Sequence, residues 1–540
     1  MKLSHVPLLE TGYFSGLTGL YLQGAEELRE FYNLPFSINN FSQAITAREK
    51  IPINRQLLYE VLRHQHANYF VAYPELLSAI NAIPSKQTYT ITTGHQLCTA
   101  TGPLYMIYKI ASAINLCRQL QAELGTYRFI PVFWMASEDH DFEEINHIHL
   151  FNKKIEWQTS TQGATGRIGN EGLQPFFDLL KQTIGHSIGN IDLYQIIEEA
   201  YTKHQTLSDA TRDMLLNIFG KEGLLVLDAD DIALKNSFKQ IVKEDMINQC
   251  SFTEVNKSIH SLVTSGLIKE DKIQVKPREI NFFYMKEHLR KRIVFEDELY
   301  KVLDTDISFD KNSLINEIDQ FPERFSPNVV MRPVYQEFIL PNLCYIGGAG
   351  ELSYWLELKS TFDAHHVFYP MLALRKSLLW VDHKQAEKLS SLNISVAELF
   401  QSAESLVESL LNKLGVNAID FSAEKNAAYN MFEALKNNIS KIDATLVASV
   451  GVEQQKLIKS IEMLEHKAEK AQKNKHEISI NQIKKIKENL FPAGGLQERY
   501  ENILWLNLKY GKGLIQQIID LCQLDDACLT IVTLDEQSNA

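Results

Sequence analysis

The chain has 540 residues, of which 45% are hydrophobic and 22% charged, and its formal net charge is −13. This length exceeds what one core usually supports, so we expect two or more domains or one domain with large insertions. No stretch approaches the roughly 18 to 20 apolar residues of a membrane span, the start lacks a signal-peptide pattern, and the acidic balance disfavours nucleic acid. We therefore expect a cytoplasmic protein that acts on small molecules, without a membrane or nucleic-acid partner.

Five apolar segments predict the strands of a sheet. In chain order they are TYTITTGHQ from Thr88, TYRFIPVFWMA from Thr126, EGLLVLDADD from Glu222, NLCYIGGAGE from Asn342 and HHVFYP from His365. Most are separated by helical patterns, such as GPLYMIYKIASAINLCRQLQAEL with Pro103 near its start. This alternation predicts an α/β fold with a doubly wound parallel sheet.

Two stretches interrupt the alternation and are interpreted as insertions. The first is rich in Gly, Thr and Asn, and the second contains INFFYM and KRIVFEDELY, which predict antiparallel strands. The predicted core therefore comes in three parts with an insertion after each of the first two: core 1–153, insertion 154–200, core 201–245, insertion 246–327 and core 328–383.

A helical arm is predicted from 384 to 490. Two apolar sets with three-four spacing predict a coiled-coil seam: Phe432, Leu435, Ile439, Ile442 and Leu446, then Leu457, Ile461, Leu464, Ala468 and Ala471. The SVGVE between them, with Ser449 as an N-cap and Gly451 as a breaker, predicts a turn between two antiparallel helices. The seam predicts a homodimer through the arm. The aromatic-rich segment 491–540 is expected to return to the core.

The six cysteines carry no sign of a metal or disulfide framework. Cys98, Cys117, Cys250, Cys344, Cys522 and Cys528 are scattered without a CxxC pair. This spacing favours free thiols over disulfides and gives no evident zinc site.

The densest cluster of titratable residues follows the second predicted strand, in FWMASEDHDFEEINHIH at positions 133–149. Glu138, Asp139, His140 and Asp141 begin where this strand ends, at the edge where open α/β sheets bind ligands. We expect them to form a wall of the substrate cleft, to bind an amine and to act in catalysis. The alternative is a charged exit from a buried strand. Without HExxH spacing we predict no protein metal site, although magnesium shared with nucleotide phosphates stays open.

Three further motifs are candidates for the site. The first is TTGHQ, in which Thr92, Gly94 and His95, followed by Gln96, resemble a class I aminoacyl-tRNA synthetase pattern; His95 is the candidate catalytic residue. The second is GGAGE with the following tyrosine, which offers Gly348, Gly350, Glu351 and Tyr354 for substrate or nucleotide binding. The third is LRKS, which offers Arg375, Lys376 and Ser377 after the last predicted strand.

Longer strings reveal a family resemblance. They are TGHQLCTATGPLYMIYKI, PVFWMASEDHDFEEINH, GLLVLDADD, SPNVVMRPVYQEFILPNLCYIGGAGELSYWLELK, LALRKS and LFPAGGLQER. Together they resemble the bacillithiol-biosynthesis cysteine-adding enzymes, which are described as cysteine ligases. The resemblance implies a Rossmann-like core with two connecting-peptide insertions and a coiled-coil arm that forms a homodimer. It also implies the last step of bacillithiol synthesis, in which cysteine is joined to the amine of glucosaminyl malate.

Amide formation from a free carboxylate requires activation, as an adenylate or an acyl phosphate. We therefore expect ATP or another nucleotide, and the sequence does not choose between the two routes. Two other functions stay open: a nucleotidyltransferase acting on another small molecule, suggested by Thr92, Gly94 and His95, and a non-catalytic coiled-coil scaffold.

Overall fold

The computed structural model describes residues 1–185, 192–416, 419–524 and 526–535. Parts of the predicted first insertion, arm and C-terminal segment lie outside the described residues, at 186–191, 417–418, 525 and 536–540. The described chain divides into two compact units. The larger, called the core unit, contains Leu3–Leu379 and Gly495–Thr530; the smaller, called the arm unit, contains Met1–Lys2, Trp380–Gly494 and Ile531–Asp535.

The strands of the described residues belong mostly to the core unit. In chain order they are β1 Lys2–Pro7, β2 Thr88–His95, β3 Arg128–Met135, β4 His147–Leu150, β5 Lys153–Glu156, β6 Leu225–Asp228, β7 Phe282–Lys286, β8 Leu289–Glu296, β9 Leu299–Val302, β10 Ser308–Phe309, β11 Phe325–Pro327, β12 Asn342–Gly347, β13 Met371–Leu374, β14 Leu378–Val381 and β15 Cys528–Thr533.

The α-helices occur in both units. In chain order they are α1 Gly16–Leu22, α2 Phe41–Arg48, α3 Arg55–Gln65, α4 Pro74–Ala82, α5 Leu104–Glu123, α6 Phe142–Ile145, α7 Leu173–Ile184, α8 Asp192–Lys203, α9 Leu207–Phe219, α10 Ile232–Asn248, α11 Cys250–Thr264, α12 Lys311–Gln320, α13 Met331–Ile339, α14 Ala349–Ala364, α15 His383–Ser391, α16 Ala403–Lys413, α17 Ser422–Ser440, α18 Val447–Lys475, α19 Glu477–Leu490, α20 Leu504–Tyr510 and α21 Leu514–Leu521. Among the described residues, no helix is both long and apolar enough to cross a membrane.

A five-stranded parallel sheet forms the centre of the core unit, in the order β13-β12-β2-β3-β6. β3 reads as a continuous apolar run because both faces of the sheet are covered, and it is buried at every position after Arg128. From β2 the chain proceeds to β3 and β6 on one side, whereas β12 and β13 lie on the other. The strand order therefore reverses between β2 and β12, which creates a topological switch point.

The predicted α/β fold is confirmed, and four of the five predicted strands are present. The fifth prediction is wrong: HHVFYP is not a strand, and the sheet strand is the following MLAL of β13, paired with β12. Val367, Phe368 and Tyr369 are buried without pairing in the sheet, so burial alone produced the apolar signal.

The second predicted insertion contains an antiparallel sheet in the order β10-β9-β8-β7-β11. INFFYM supplies β7 and KRIVFEDELY supplies the β8–β9 hairpin, as the alternating pattern predicts. Phe282 and Tyr284 are buried on the same face of β7, so this sheet has its own apolar face.

In the arm unit, α17 and α18 form an antiparallel pair. Lys425 near the start of α17 contacts Glu465 near the end of α18 at 2.7 Å, and Lys436 contacts Gln454 at 2.6 Å. The predicted turn at Ser449 and Gly451 is wrong, because both residues lie inside α18. The turn lies earlier, where the Asp443 side chain accepts a hydrogen bond from the Thr445 N–H.

Candidate active site

A cavity of about 900 Å³ opens in the core unit at the carboxyl edge of the central sheet. It lies at the switch point, because its lining includes the end of β2 at Gly94 and His95 and the residues after β12 at Gly348–Glu351. Ligands bind at such crevices in open α/β sheets. The insertion sheet supplies another wall through Phe283 and Arg290.

The cavity brings together motifs that are far apart in the sequence. Of the residues singled out by the sequence, those that line it are Gly94, His95, Gln96, Glu138, Asp139, His140, Asp141, Gly348, Gly350, Glu351, Tyr354 and Arg375. Gly94 is tightly packed against β3, since an added Cβ would lie 3.1 Å from the Trp134 carbonyl oxygen.

Thr92, Lys376 and Ser377 are not among the lining residues. The Thr92 hydroxyl is buried and donates to Asn342 Oδ1 at 2.9 Å. Lys376 forms an ion pair with Asp526, and Ser377 donates to Glu498 at 3.0 Å. The LRKS segment therefore presents only Arg375 to the cavity, unlike a mobile lysine-bearing loop.

Asp139 is the best-supported carboxylate of the acidic wall. Its oxygens accept hydrogen bonds from Gln96 Nε2 at 2.9 Å and from the His140 N–H at 2.8 Å, and Arg290 Nη1 lies 3.8 Å away. Burial alone would raise the pKa of Asp139, but His140, Arg290 and Gln96 lower it well below its usual range. Asp139 is therefore suited to remain ionised and attract a cationic group, and is a weak proton acceptor.

The neighbouring acidic residues have different surroundings. Glu138 forms a buried ion pair with Lys235, which also donates to the Phe325 carbonyl at 3.0 Å. His140 Nδ1 lies 2.6 Å from Arg290 Nη1. Because a guanidinium only donates, His140 Nδ1 must accept this hydrogen bond.

One nitrogen or oxygen atom from each of Asp139, His140 and Asp141 lies within 4.8 Å of the others. This donor set could hold a metal ion, and Mg²⁺ commonly takes one or two carboxylates together with substrate phosphates. The Arg290 guanidinium occupies the same cluster, however, and would compete with a cation for Asp139.

His95 forms hydrogen bonds through both ring nitrogens. Nδ1 lies 3.0 Å from the Gln96 carbonyl oxygen, and Nε2 lies 2.9 Å from the Tyr105 hydroxyl. Burial and the nearby Lys109 ammonium lower the pKa of His95 from 6.5 to about 4, so the ring is neutral at pH 7.

Glu351 ties the glycine-rich turn to β2. It accepts hydrogen bonds from Lys109 at 2.7 Å, from the Tyr345 hydroxyl at 2.6 Å and from the Gly348 N–H at 2.8 Å; Lys109 also donates to the Gly94 carbonyl. Burial alone would raise the pKa of Glu351, but Lys109 and the Gly348 N–H lower it from 4.5 to about 2. These contacts make Glu351 a support for the two loops that meet at the switch point.

Sequence reasoning missed most of the cations in the cavity. Seven lysine or arginine side chains and four carboxylates line it; the cations are Lys276, Arg278, Arg290, Arg292, Arg332, Arg375 and Arg499. Arg290 is paired with Asp139 and Arg375 with Glu498. Within the described ranges, the other five have no ion pair with a carboxylate. Two of these five could have been found from the sequence, because Arg332 and Arg499 lie in the family-like strings SPNVVMRPVYQEF and LFPAGGLQER.

The parallel sheet with its switch-point cavity, joined in one chain to a helical antiparallel arm, defines a Rossmann-like protein with a coiled-coil appendage. Two family descriptions match it: "Bacillithiol biosynthesis BshC, N-terminal Rossmann-like domain" over residues 1–376, and "Bacillithiol biosynthesis BshC, C-terminal coiled-coil domain" over 378–534. The chain belongs to the BshC family.

Similar proteins named "Putative cysteine ligase BshC" cover almost the whole chain. The protein from Flavobacterium psychrophilum is 41% identical over 515 residues, which are 95% of this chain and 96% of the relative. The one from Flavobacterium johnsoniae is 39% identical over 526 residues, 97% and 98% of the two chains. The Bacillus anthracis protein is 28% identical over 525 residues, 94% and 95% of the two chains.

Proposed function

We propose that this protein is a cytoplasmic ligase of bacillithiol biosynthesis that joins the carboxyl group of cysteine to the amine of glucosaminyl malate. Membership of the BshC family and the names of the relatives support this role. The proposal assigns the reaction to the switch-point cavity, whose lining combines sites for cationic and anionic groups.

The charge distribution of the cavity is the observation that best supports the proposed ligase function. Glucosaminyl malate has one amine and two carboxylates, and cysteine has a further carboxylate. The ionised Asp139 is suited to an ammonium or amine, and Arg332 and Arg499 are suited to carboxylates, because guanidinium groups bind them with charge-assisted hydrogen bonds. The surplus of cations in the lining favours anionic ligands over a purely cationic substrate.

We further propose that ATP or another nucleotide activates the cysteine carboxylate. The Lys276, Arg278 and Arg292 side chains line the cavity from the second insertion, and none has an acidic ion-pair partner in the described residues. Burial and the proximity of Arg278 lower the pKa of Arg292, so like charges are crowded here. We assign this group to the phosphates, which would also supply most of the ligands of a bound magnesium ion.

The decisive experiment incubates the full-length protein with ATP, cysteine and glucosaminyl malate and measures the amide together with AMP and ADP. Amide with AMP indicates an adenylate, and amide with ADP indicates an acyl phosphate. Absence of amide with every nucleotide tested contradicts the proposed ligase function.

Asp139→Asn should reduce amide formation strongly while the protein stays folded. The matched control is Asp304→Asn, the same chemical change outside the cavity at a carboxylate whose side chain is 74% exposed. Equal activity of the two variants would contradict the role given to Asp139.

We also propose a homodimer that forms through the arm. None of the ten predicted seam residues is fully buried in the single chain, and Leu435, Ile442, Leu457 and Leu464 are exposed, with Ile442 at 83%. Covering this seam with a second copy of the arm would remove apolar area from water. This burial would stabilise the dimer by about 25 cal/mol per Å² of apolar area before the free-energy cost of association is subtracted.

A further inference from the structure

The His95–Tyr105 pair has a defined proton arrangement. A carbonyl oxygen only accepts hydrogen bonds, so the 3.0 Å contact with the Gln96 carbonyl places the His95 proton on Nδ1. Nε2 then has a free lone pair and accepts the proton of the Tyr105 hydroxyl at 2.9 Å. The Cys98 sulfur lies 3.5 Å from Nδ1, and burial raises the pKa of this thiol to about 12, so it supplies no thiolate at neutral pH.

This arrangement makes Tyr105, not His95, the group that is free to meet a substrate. Both His95 nitrogens are occupied by protein atoms, whereas the Tyr105 oxygen has no other hydrogen-bond partner in the part of the chain that the structure describes. Tyr105 is half-buried and lines the cavity, and the Arg375 guanidinium carbon lies 5.3 Å from its ring centroid.

The chain between the two residues is held in a strained conformation. Ala100, Thr101 and Gly102 all have positive φ angles, of 48°, 70° and 59°. The buried Asn502 amide donates to the Ala100 carbonyl at 2.8 Å and to the Gly102 carbonyl at 2.7 Å. Since strain of this kind persists only where surrounding contacts impose it, the spacing of His95 and Tyr105 is fixed by the fold.

We propose that Tyr105 is a catalytic residue that passes the proton of the attacking nitrogen to His95; this inference rests on the ligase function proposed above. The amine nitrogen forms a bond to the carbonyl carbon of the activated cysteine. The bond from that carbon to the phosphate oxygen breaks, and its electron pair leaves with the phosphate. The nitrogen proton goes to the Tyr105 oxygen, and the Tyr105 proton goes to His95 Nε2.

The electrostatics of the pair fit this transfer. The low pKa of His95 keeps Nε2 unprotonated at neutral pH, and burial raises the pKa of Tyr105, which disfavours a free phenolate. His95 is a weak base, but the attacking nitrogen becomes strongly acidic as its lone pair enters the new bond, so a weak base suffices. The Gln96 carbonyl remains in contact with the Nδ1 proton of the imidazolium that forms.

Tyr105→Phe keeps the ring and removes only the hydroxyl. We expect kcat for amide formation to fall by about 10²- to 10⁴-fold, the usual contribution of general acid–base catalysis, while KM for both substrates changes little. Tyr105 and His95 form a proton relay, in which both residues act on the same proton transfer. The double variant Tyr105→Phe/His95→Asn should therefore be about as slow as the slower single variant. Tyr59→Phe, at a tyrosine on α3 outside the cavity, is the matched control and should retain wild-type rates.

Two measurements can overturn the relay. Retention of wild-type kcat by Tyr105→Phe, or a double variant that loses the product of the two single effects, contradicts it while leaving the ligase function intact. A wild-type protein that forms no amide overturns the ligase function and the relay's substrate step together.

A readout independent of turnover is the His95 tautomer, observed by NMR with ¹⁵N-labelled histidine. The relay requires a protonated Nδ1, an unprotonated Nε2 and a shifted Nε2 resonance in Tyr105→Phe. A protonated Nε2 in the wild-type protein at neutral pH contradicts it.

Discussion

Replacing Glu498 with Gln tests the buried ion pair that holds Arg375 at the edge of the cavity. Glu498 accepts hydrogen bonds from Arg375 at 2.7 Å, from Ser377 at 3.0 Å and from the Leu378 N–H at 3.3 Å. The Arg375 and Glu498 side chains are only 4% and 1% exposed. Burial alone would lower the pKa of Arg375, but Glu498 raises it, so the guanidinium stays charged.

The expected loss of stability in Glu498→Gln follows from the burial of this ion pair. Removing one partner of a buried ion pair costs about 3–5 kcal/mol, because the other charge is left without compensation. Glutamine keeps the shape and one acceptor oxygen, so we expect the lower end, about 3 kcal/mol of lost stability. Arg375 should also become less well ordered beside Tyr105, whose ring lies 5.3 Å from the guanidinium carbon.

Urea unfolding followed by tryptophan fluorescence measures this effect. Four of the five tryptophans, at positions 134, 157, 355 and 505, belong to the core unit that contains Glu498. Asp304→Asn is the control, since the exposed pair of Asp304 with Lys291 should contribute about 0–1 kcal/mol. If Glu498→Gln destabilises the core unit no more than this control, the reasoning about the buried pair is refuted.

Three further outcomes are expected. The folded-state pKa of His95 is about 4, below its usual 6.5, so its contribution to stability is present above pH 6.5 and is lost as the pH falls toward 4. The free energy of unfolding, measured across this pH range, should therefore fall less in His95→Gln than in the wild-type protein. Equal dependence of the free energy of unfolding on pH in the two proteins would contradict this prediction. Arg332→Met should weaken glucosaminyl malate binding about 10- to 100-fold in calorimetric titration, through loss of a charge-assisted hydrogen bond of about 1.5–3 kcal/mol, whereas Lys291→Met outside the cavity should not. Leu435→Asp/Leu464→Asp should convert the expected dimer to a monomer in sedimentation, and a wild-type monomer at micromolar concentration would remove the dimer proposal.

The sheet was predictable because its strands carry local signals. β3 is a continuous apolar run followed by the acidic cluster, and β2 is a buried run of threonine, tyrosine and isoleucine that ends in Gly94 and His95, so both the strands and their functional ends can be found from the sequence. The prediction failed at HHVFYP, where burial without pairing imitates a strand. It also failed at Ser449 and Gly451, where a long helix tolerates residues that usually interrupt one.

The cations of the cavity were harder to predict for a physical reason. Arg290 and Arg292 lie on a strand of the insertion sheet, and nothing in their local pattern indicates that the chain folds to bring them beside Asp139. Tyr105 lies in the first turn of an apolar helix and resembles an ordinary core residue. Its hydrogen bond to His95, ten positions earlier, depends on the left-handed residues between them, which the sequence shows only as one glycine.

The hydrogen bonds from Asn502 to the 98–102 loop also set an order of events during synthesis. They join residues about 400 positions apart, so the ribosome completes every strand of the parallel sheet long before it makes the residue that holds this loop. Asn502 follows Leu374, the end of β13 and of the last strand of this sheet, by 128 residues, so at about 5–20 residues per second the delay is roughly 6 to 26 seconds. During that interval the nascent chain has the sheet sequence but not the contacts that fix His95 against Tyr105. A chain released at residue 376, where the first family match ends, would therefore carry the histidine and the tyrosine without the asparagine that sets their spacing.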